Sequence, residues 1–368
     1  MSNLMQRLLP MLVANSVRLR HNRIYRALQQ TFAVIFPFVM VGAWAQMLEL
    51  SVFSRNGFFA VIYNLDNVIP HYNQIRTLLL IIETVTVDLM SVMAADFEEP
   101  SQHYTIAGLI SRGLRGTWLT VLILISCVAI TYGLTFVSTE GFIGLFYVVF
   151  QVPATNIPHV SLRLALVTTI NALMWWGGIE GPINPLMVQS GSTTGTANLN
   201  YALEHANLFN VPNPITMNTI YHPFASFGGV GMTLALIIAT LWVGRSKPLR
   251  RIAGLSLLPG LVNVSSPVMI GWPVTLNPIL LVPFLITPLV NMVIAWAAIR
   301  LRLMPPSVYT VPTTTPGPLA AFLGTNGNLV ALVVAVICLI VSVLIYAPFV
   351  RLAETVSLES AKVGDHHD

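Results

Sequence analysis

Charge is what this sequence most lacks: only 9% of its 368 residues are Asp, Glu, Lys or Arg. A soluble domain carries roughly a quarter charged residues, so a chain packed for water on all sides is excluded. Three stretches contain none of these four residues, namely 205–244, 252–299 and 303–350. Each is far longer than the roughly 20 residues that one helix needs to cross a bilayer. Cysteine is nearly absent too, with Cys127 and Cys338 both in apolar runs. Buried there, they read as small hydrophobes, and no disulfide framework or redox motif is expected. His205 and His222 have no further ligand set near them in the sequence, whereas a metal needs three or four convergent ligands. Neither a metal nor a cofactor is therefore expected.

What is present is apolar residues (55%) and 24 prolines, with a net charge of +4. The positive charge is not spread as a nucleic-acid surface would need. Arg18, Arg20, Arg23 and Arg26 precede the first apolar run, and Arg245, Lys247, Arg250 and Arg251 share one short loop. That is the bias of cytoplasmic loops. It predicts a multi-pass membrane protein with both termini in the cytoplasm. No cleavable signal peptide is expected, since the basic segment is long and no small-residue cleavage site follows it.

The expected fold is all-α, with about seven to eight transmembrane helices plus re-entrant, proline-broken segments. Residues 1–26 read as an amphipathic helix lying on the cytoplasmic surface. Residues 27–158 form an N-terminal membrane region, 159–352 a C-terminal membrane region, and 353–368 a cytoplasmic tail. Spans are expected at about 27–50, 77–95, 117–137, 162–178 and 224–243, at one ending near Arg300, and at 329–348. The apolar segment 141–152 is short for a crossing. Even parity requires one further crossing, there or through a re-entrant segment.

Gly254–Pro288 is the most informative stretch, uncharged but punctuated by Pro259, Pro267, Pro273, Pro278, Pro283 and Pro288. Prolines at that spacing are not expected to continue one regular helix. Broken backbone at membrane depth survives only against protein or a water-filled cavity, and in transporters it marks the substrate site. The polar but nearly uncharged loop 182–223, rich in Asn, Gln, Ser and Thr, suits a neutral hydroxylated ligand, because these groups both donate and accept. Asn184 and His222 lie in it. Trp175, Trp176, Tyr201 and Trp272 are candidates to stack on sugar rings or to pack at the membrane interface. Glu180, between glycines at a span end, is a further candidate. Glu83 and Asp88 fall inside a span, where a carboxylate is either functional or paired, Glu83 with Arg76. Gly228, Gly229 and Gly231 follow no strand and so form no nucleotide loop. They read as close packing or exposed backbone at a helix start.

Taken together, FGGVGMTLAL, the basic loop, LSLLPGLVNVSSPVMIGWPVTLNPILLVPF, TVPTTTPGPLAAFLGTNG and LIYAPF resemble one family in order and spacing. It is the membrane IIC component of the phosphoenolpyruvate-dependent phosphotransferase system, of the lactose/cellobiose/N,N′-diacetylchitobiose type. The resemblance covers about 171–352, and HNRIYRALQQTFAVIFPFVMVG is similar to the family's first amphipathic helix and span. It implies a homodimer in membrane lipid, with an oligomerising N-terminal half and a sugar-binding C-terminal half. The sugar would be a β-linked disaccharide, phosphorylated by a cytoplasmic IIB partner.

The candidate sugar-binding residues are Glu180, Asn184, His222, Asn263, Ser265, Ser266 and Asn277, of which Glu180, Asn263, Ser265 and Ser266 fall on the family's motifs. The chain departs from the pattern at the family's FGIHG, where Glu180 replaces the His. In FNINEP, Asn263 and Pro267 are kept, but Ser265 and Ser266 replace the second Asn and the Glu. The PWTTP-like motif is here Pro312-Thr313-Thr314-Thr315-Pro316. Two functions follow as expectations. One is a sugar permease with Glu180 as the remaining carboxylate. The other is a IIC-derived sensory module that binds sugar, or scaffolds a signalling domain, without transport.

Overall fold

The structure, a computed structural model, describes residues 23–95, 125, 129, 160–178, 181 and 193–364. Residues 1–22 of the surface helix expected at 1–26, most of the segment between 96 and 159, Glu180 and Asn184 therefore lie outside the described residues, as does the side chain of Asp88, while residues 23–26 open the first described helix. Every regular element among the described residues is helical. Here α1 is Arg23–Leu48, α2 Phe58–Tyr63, α3 Leu65–Val68 and α4 Tyr72–Ala95. After these come α5 Val160–Trp176, α6 Thr193–His205, α7 His222–Ala225, α8 Thr233–Val243 and α9 Lys247–Leu261. The rest are α10 Ser266–Gly271, α11 Pro278–Arg300, α12 Gly317–Gly324 and α13 Leu329–Gly364.

Four helical stretches among the described residues are long and apolar enough to cross a membrane: Ile35–Tyr63, Met217–Val243, Pro278–Arg300 and Leu329–Val356. Val160–Trp176 is a shorter apolar helix. At 24 residues α4 is also long enough at 1.5 Å per residue, but it carries Glu83 and Asp88. Glu83 does not pair with Arg76. Its carboxylate accepts from Gln46 on α1 at 2.9 Å, while Arg76 pairs with the buried Glu49 at 2.8 Å. These cross-links satisfy carboxylates between α1 and α4 that would be costly in lipid.

The largest core joins α5, α7, α8, α10, α11 and α13. Three bonds set the relative direction of its long helices. Asn291 on α11 donates to Ser342 on α13 at 2.9 Å. Four residues earlier, Thr287 reaches the Gly231 carbonyl at 3.3 Å, and four residues later Tyr346 donates to the same carbonyl. Rising numbers on one helix thus match rising depth in the opposite sense on the other, so α11 and α13 are antiparallel. Glu354, further along α13, accepts from the backbone N–H of Arg245 (2.9 Å) and Ser246 (3.1 Å). That pins the basic α8–α9 corner to the C-terminal end of α13.

From this corner α9 runs back along α8, with Gly260 so close that a Cβ would lie 2.7 Å from Ile237 Cδ1. The chain turns at Asn263 and returns through α10, where a Cβ on Gly271 would meet Ile252 at 2.8 Å. Residues 247–277 are therefore a re-entrant hairpin whose tip is Asn263. A second hairpin enters from the other end. The strap 304–311 runs beside α12, with the N–H groups of Val308 and Tyr309 both donating to the Gly324 carbonyl (2.8 and 3.1 Å). Its tip is the loop 312–316.

One expectation needs correction. The prolines of Gly254–Pro288 do not all break helices: Pro283 and Pro288 lie inside α11, which stays continuous for 23 residues. Pro278 opens that helix, Pro267 lies in the first turn of α10 and Pro273 in the turn after it, while Pro259 sits in the last turn of α9. Neighbouring helices and hydroxyls re-satisfy the freed backbone at such sites. The Thr287 hydroxyl adds a bond to the Pro283 carbonyl at 2.7 Å.

Candidate functional site

The two hairpins meet tip to tip, and one side chain joins them. Asn263 sits in the left-handed region at φ 67°, which Asn tolerates better than most residues. Its Nδ2 donates to the carbonyls of Thr313 (2.6 Å) and Thr315 (3.3 Å), and its Oδ1 accepts from Gly228 N–H (2.8 Å). Thr314, in the same loop, accepts from the Phe58 N–H at 3.0 Å. The Asn263 amide is thus fully used in holding three broken segments together.

Gly228, Gly229 and Gly231 explain why the third segment is glycine-rich. A Cβ on Gly228 would lie 2.3 Å from the Leu234 nitrogen, and one on Gly231 would lie 2.2 Å from the Phe284 ring. Gly229 adopts φ 107°, ψ −163°, a conformation essentially confined to glycine. It sits against Ser265, whose Cβ is 3.1 Å from where a Cβ of Gly229 would be. Ser265 immediately precedes α10 and Ser266 is its first residue, and neither provides a side-chain cap. Asn277 is structural in its visible bonds. It caps α11 by accepting from the Ile279 N–H at 3.1 Å, and its carbonyl accepts from Trp176 Nε1 at 3.0 Å. Gly178 and Gly181, which flank Glu180, lie against Thr275 and Asn171 respectively.

His222 is elsewhere. It lines a cavity of about 90 Å³ walled by α6, the π-helical turn Met217–Tyr221, the strap 304–311 and α12. The polar residues facing it are Thr196, Asn198, Asn218, Thr219, His222, Ser307, Tyr309 and Thr310, with no Asp, Glu, Lys or Arg among the lining residues. Some of these build the wall. Asn198 exchanges two bonds with the Asn213 backbone (2.7 and 2.8 Å), and Thr219 forms a reciprocal cap with Thr216. Ser307, Tyr309 and Thr310 present hydroxyls with no protein hydrogen bond among the described residues. Such a wall can donate to and accept from neutral hydroxyls without the desolvation cost of a buried charge. No group of three or more metal-ligating side chains occurs among the described residues.

The family model described as "Phosphotransferase system, EIIC" matches residues 112–288. Over that stretch, just under half of its length, the chain is similar to the EIIC family. It is 32% identical over 208 residues to a lactose-specific EIICB component of the phosphotransferase system from Lacticaseibacillus casei, covering 55% of this chain and 35% of that protein. It is 31% identical over 221 residues to a cellobiose-specific EIIC component from Lactococcus lactis subsp. lactis, covering 55% and 44%. The chain thus spans less than half the length of these curated relatives. In fold it is similar to ChbC, the IIC component of an N,N′-diacetylchitobiose-specific phosphotransferase system, with a TM-score of 0.51 and 18% identity. That likeness covers 96% of this chain and 98% of the other.

The sequence candidates separate into groups. Asn263 and Ser265 sit at the hairpin tip, Asn277 at the hairpin root, and His222 on the polar cavity. Sequence reading did not single out Thr196, Asn218, Ser307, Tyr309 or Thr310. A signal was present all the same, since both polar, uncharged stretches of the C-terminal half supply that wall.

Proposed function

We propose that the chain is the sugar-binding membrane part of a phosphotransferase permease for a neutral, β-linked disaccharide. The observation that carries this reading is the cavity around His222, lined by hydroxyls, amides and an imidazole but by no charged group, within a bundle of largely charge-free helices. Similarity to lactose- and cellobiose-specific EIIC components supports the same substrate class. His222, with Asn218 and Tyr309, contacts the sugar. Asn263 and Asn277 hold the walls, and Ser265 and Ser266 line the approach from the hairpin tip. The C-terminal region 159–352 carries the sugar, and the region before it forms a homodimer contact in the lipid. Both termini face the cytoplasm, where a IIB component meets the basic end of the bundle. Curated relatives that carry the two components as one EIICB chain support that partner. Glu180 and Asn184 complete the sugar's polar surroundings.

The test is uptake of labelled cellobiose or diacetylchitobiose in cells lacking their own IIC. Accumulation of sugar phosphate is expected, and its absence together with absent binding to purified protein would refute the permease.

A second reading has its own observation. Ser266 stands where the family's FNINEP motif has Glu, and no carboxylate lines the cavity. Loss of a positioned base costs about 10²–10⁴ in rate. On this reading the chain is a IIC-derived receptor that binds sugar without passing it to phosphoryl transfer. Binding without accumulation would favour it, and Glu180→Gln then leaves phosphorylation at the same background as the unaltered chain.

A further inference from the structure

Beside the cavity at His222 lies a second, wider one of about 560 Å³, bounded by the C-terminal part of α6, the turn after it, and residues 325–328 before α13. Pro305 and Tyr309 of the strap complete its wall, and Tyr309 is the one residue that lines both cavities. No residue lining this second space is charged. It therefore shares the chemistry of the first, with an aromatic face, Phe209, added. Two of its lining residues sit in fixed turns: Ala206 and Asn326 both adopt left-handed backbone. That is costly for a residue such as Ala and marks chain held in place by its surroundings.

Size decides what the pair can do. A site that buries a small ligand commonly has a volume of about 300–1,000 Å³. The inner cavity at about 90 Å³ falls short of that and the outer one does not. Tyr309 stands between them with its backbone pinned to Gly324 and its hydroxyl bonded to no protein group among the described residues. Gly324 is small of necessity, because a Cβ there would lie 2.0 Å from Ser307 Oγ. The backbone is thus fixed while the ring is held by no polar bond.

We propose that the outer cavity is a second sugar subsite and that the Tyr309 ring is the partition between the two. It offers its hydroxyl to a sugar on the inner side and its face to a pyranose ring on the outer side. This rests on the sugar reading given above. An oligosaccharide would place one ring in each cavity, with Phe209 and Asn326 serving only the outer one. Apolar C–H faces of a pyranose pack on aromatic rings, and its hydroxyls find the amide groups.

The experiment uses the full chain purified in detergent. Calorimetric binding of methyl β-glucoside and of cellobiose is compared for the unaltered protein, Phe209→Ala, Asn326→Gly and Tyr309→Phe. Asn326→Gly removes the amide while suiting the left-handed backbone. The outer variants are expected to weaken cellobiose about five- to tenfold, the loss of roughly one contact, and to leave the monosaccharide unchanged. Tyr309→Phe weakens both. Equal weakening of both sugars by the outer variants, or no effect on cellobiose, overturns the subsite.

The partition has a sugar-free test. Asn218→Cys is expected to react slowly with a bulky maleimide, and much faster when Tyr309→Ala is added. Equal rates overturn the partition. If the unaltered protein binds neither sugar, the sugar reading itself fails and the second subsite falls with it, while the labelling rates still decide whether the two cavities communicate past Tyr309.

Discussion

Asn263→Ala tests whether this residue is a ligand contact or the pin of the fold. The structure predicts the second. Truncation removes three hydrogen bonds, to Gly228 N–H and to the carbonyls of Thr313 and Thr315. A buried donor or acceptor left without a partner costs about 1–3 kcal/mol, although Thr313 is half-buried and some water will reach its carbonyl. Holding Ala at φ 67° adds roughly 1 kcal/mol. The expected loss is about 3–5 kcal/mol, near the top of the range for single substitutions. Asn263→Gly separates the two parts. It loses the same bonds but not the backbone strain, so it should recover about 1 kcal/mol relative to Ala. Asn263→Asp keeps an acceptor for Gly228 but turns a second oxygen toward two carbonyls, so it should destabilise at neutral pH as well. The assay is the rate of heat inactivation in detergent, followed by loss of the monodisperse gel-filtration peak. Should Asn263→Ala match the unaltered protein in stability to within about 0.5 kcal/mol while abolishing sugar binding, the residue is a ligand contact and the pin is wrong.

Other positions allow sharper single measurements. Arg76→Met leaves the Glu49 carboxylate, 3% exposed, without its cation. Because Arg76 is itself partly exposed, a loss of about 1–3 kcal/mol is expected, below the 3–5 kcal/mol of a fully buried pair, and Glu49→Gln on the Arg76→Met background should restore part of it in the same heat-inactivation assay. Glu354→Ala removes the acceptor of the Arg245 and Ser246 N–H groups, a charge-assisted cap at about 1.5–3 kcal/mol. Limited proteolysis at the 244–251 corner should then accelerate, and unchanged cleavage would refute the cap. Gly231→Ala drives a methyl into the Phe284 ring at a positive φ. Loss of the folded protein is expected, and partial rescue by a smaller residue at 284 would identify the clash as the cause.

Much of the fold was legible because a bilayer imposes one strong rule. Charge-free runs of more than 20 residues read as helices, and the spans ending at Val243 and Arg300 and the one starting at Leu329 follow from that, although the last continues past the expected end at 348. The hairpin at Gly254–Pro288 was legible in kind but not in its breakpoints. Proline says that an N–H is missing, not where the chain turns, and Pro283 and Pro288 lie within a continuous helix. What turned the chain instead was Asn263 in the left-handed region, one residue among several polar ones in VNVSSP. The resemblance assigned it to the sugar, whereas its amide is occupied by backbone groups about 35 to 50 residues away in sequence. Bonds of that range have no local signature.

The polar cavity sharpens the same point. Residues 195–223 read as polar and nearly uncharged and 307–320 as uncharged, but their meeting depends on two hairpins that enter from opposite ends and touch at their tips. Only with the Asn263 bridge in place does the strap carrying Ser307, Tyr309 and Thr310 come to face the turn carrying Asn218 and His222. A pin that is fully bonded can still govern a ligand site that it never touches, because moving the 312–316 tip moves the strap that leads into it. Asn263 and the cavity hydroxyls should therefore couple. In a double-mutant cycle with Tyr309→Phe, the effects of Asn263→Gly on sugar affinity should be non-additive by about 0.5–3 kcal/mol, the range for residues linked through one network. Additive effects would mean that the hairpin bridge supports the fold without shaping the site.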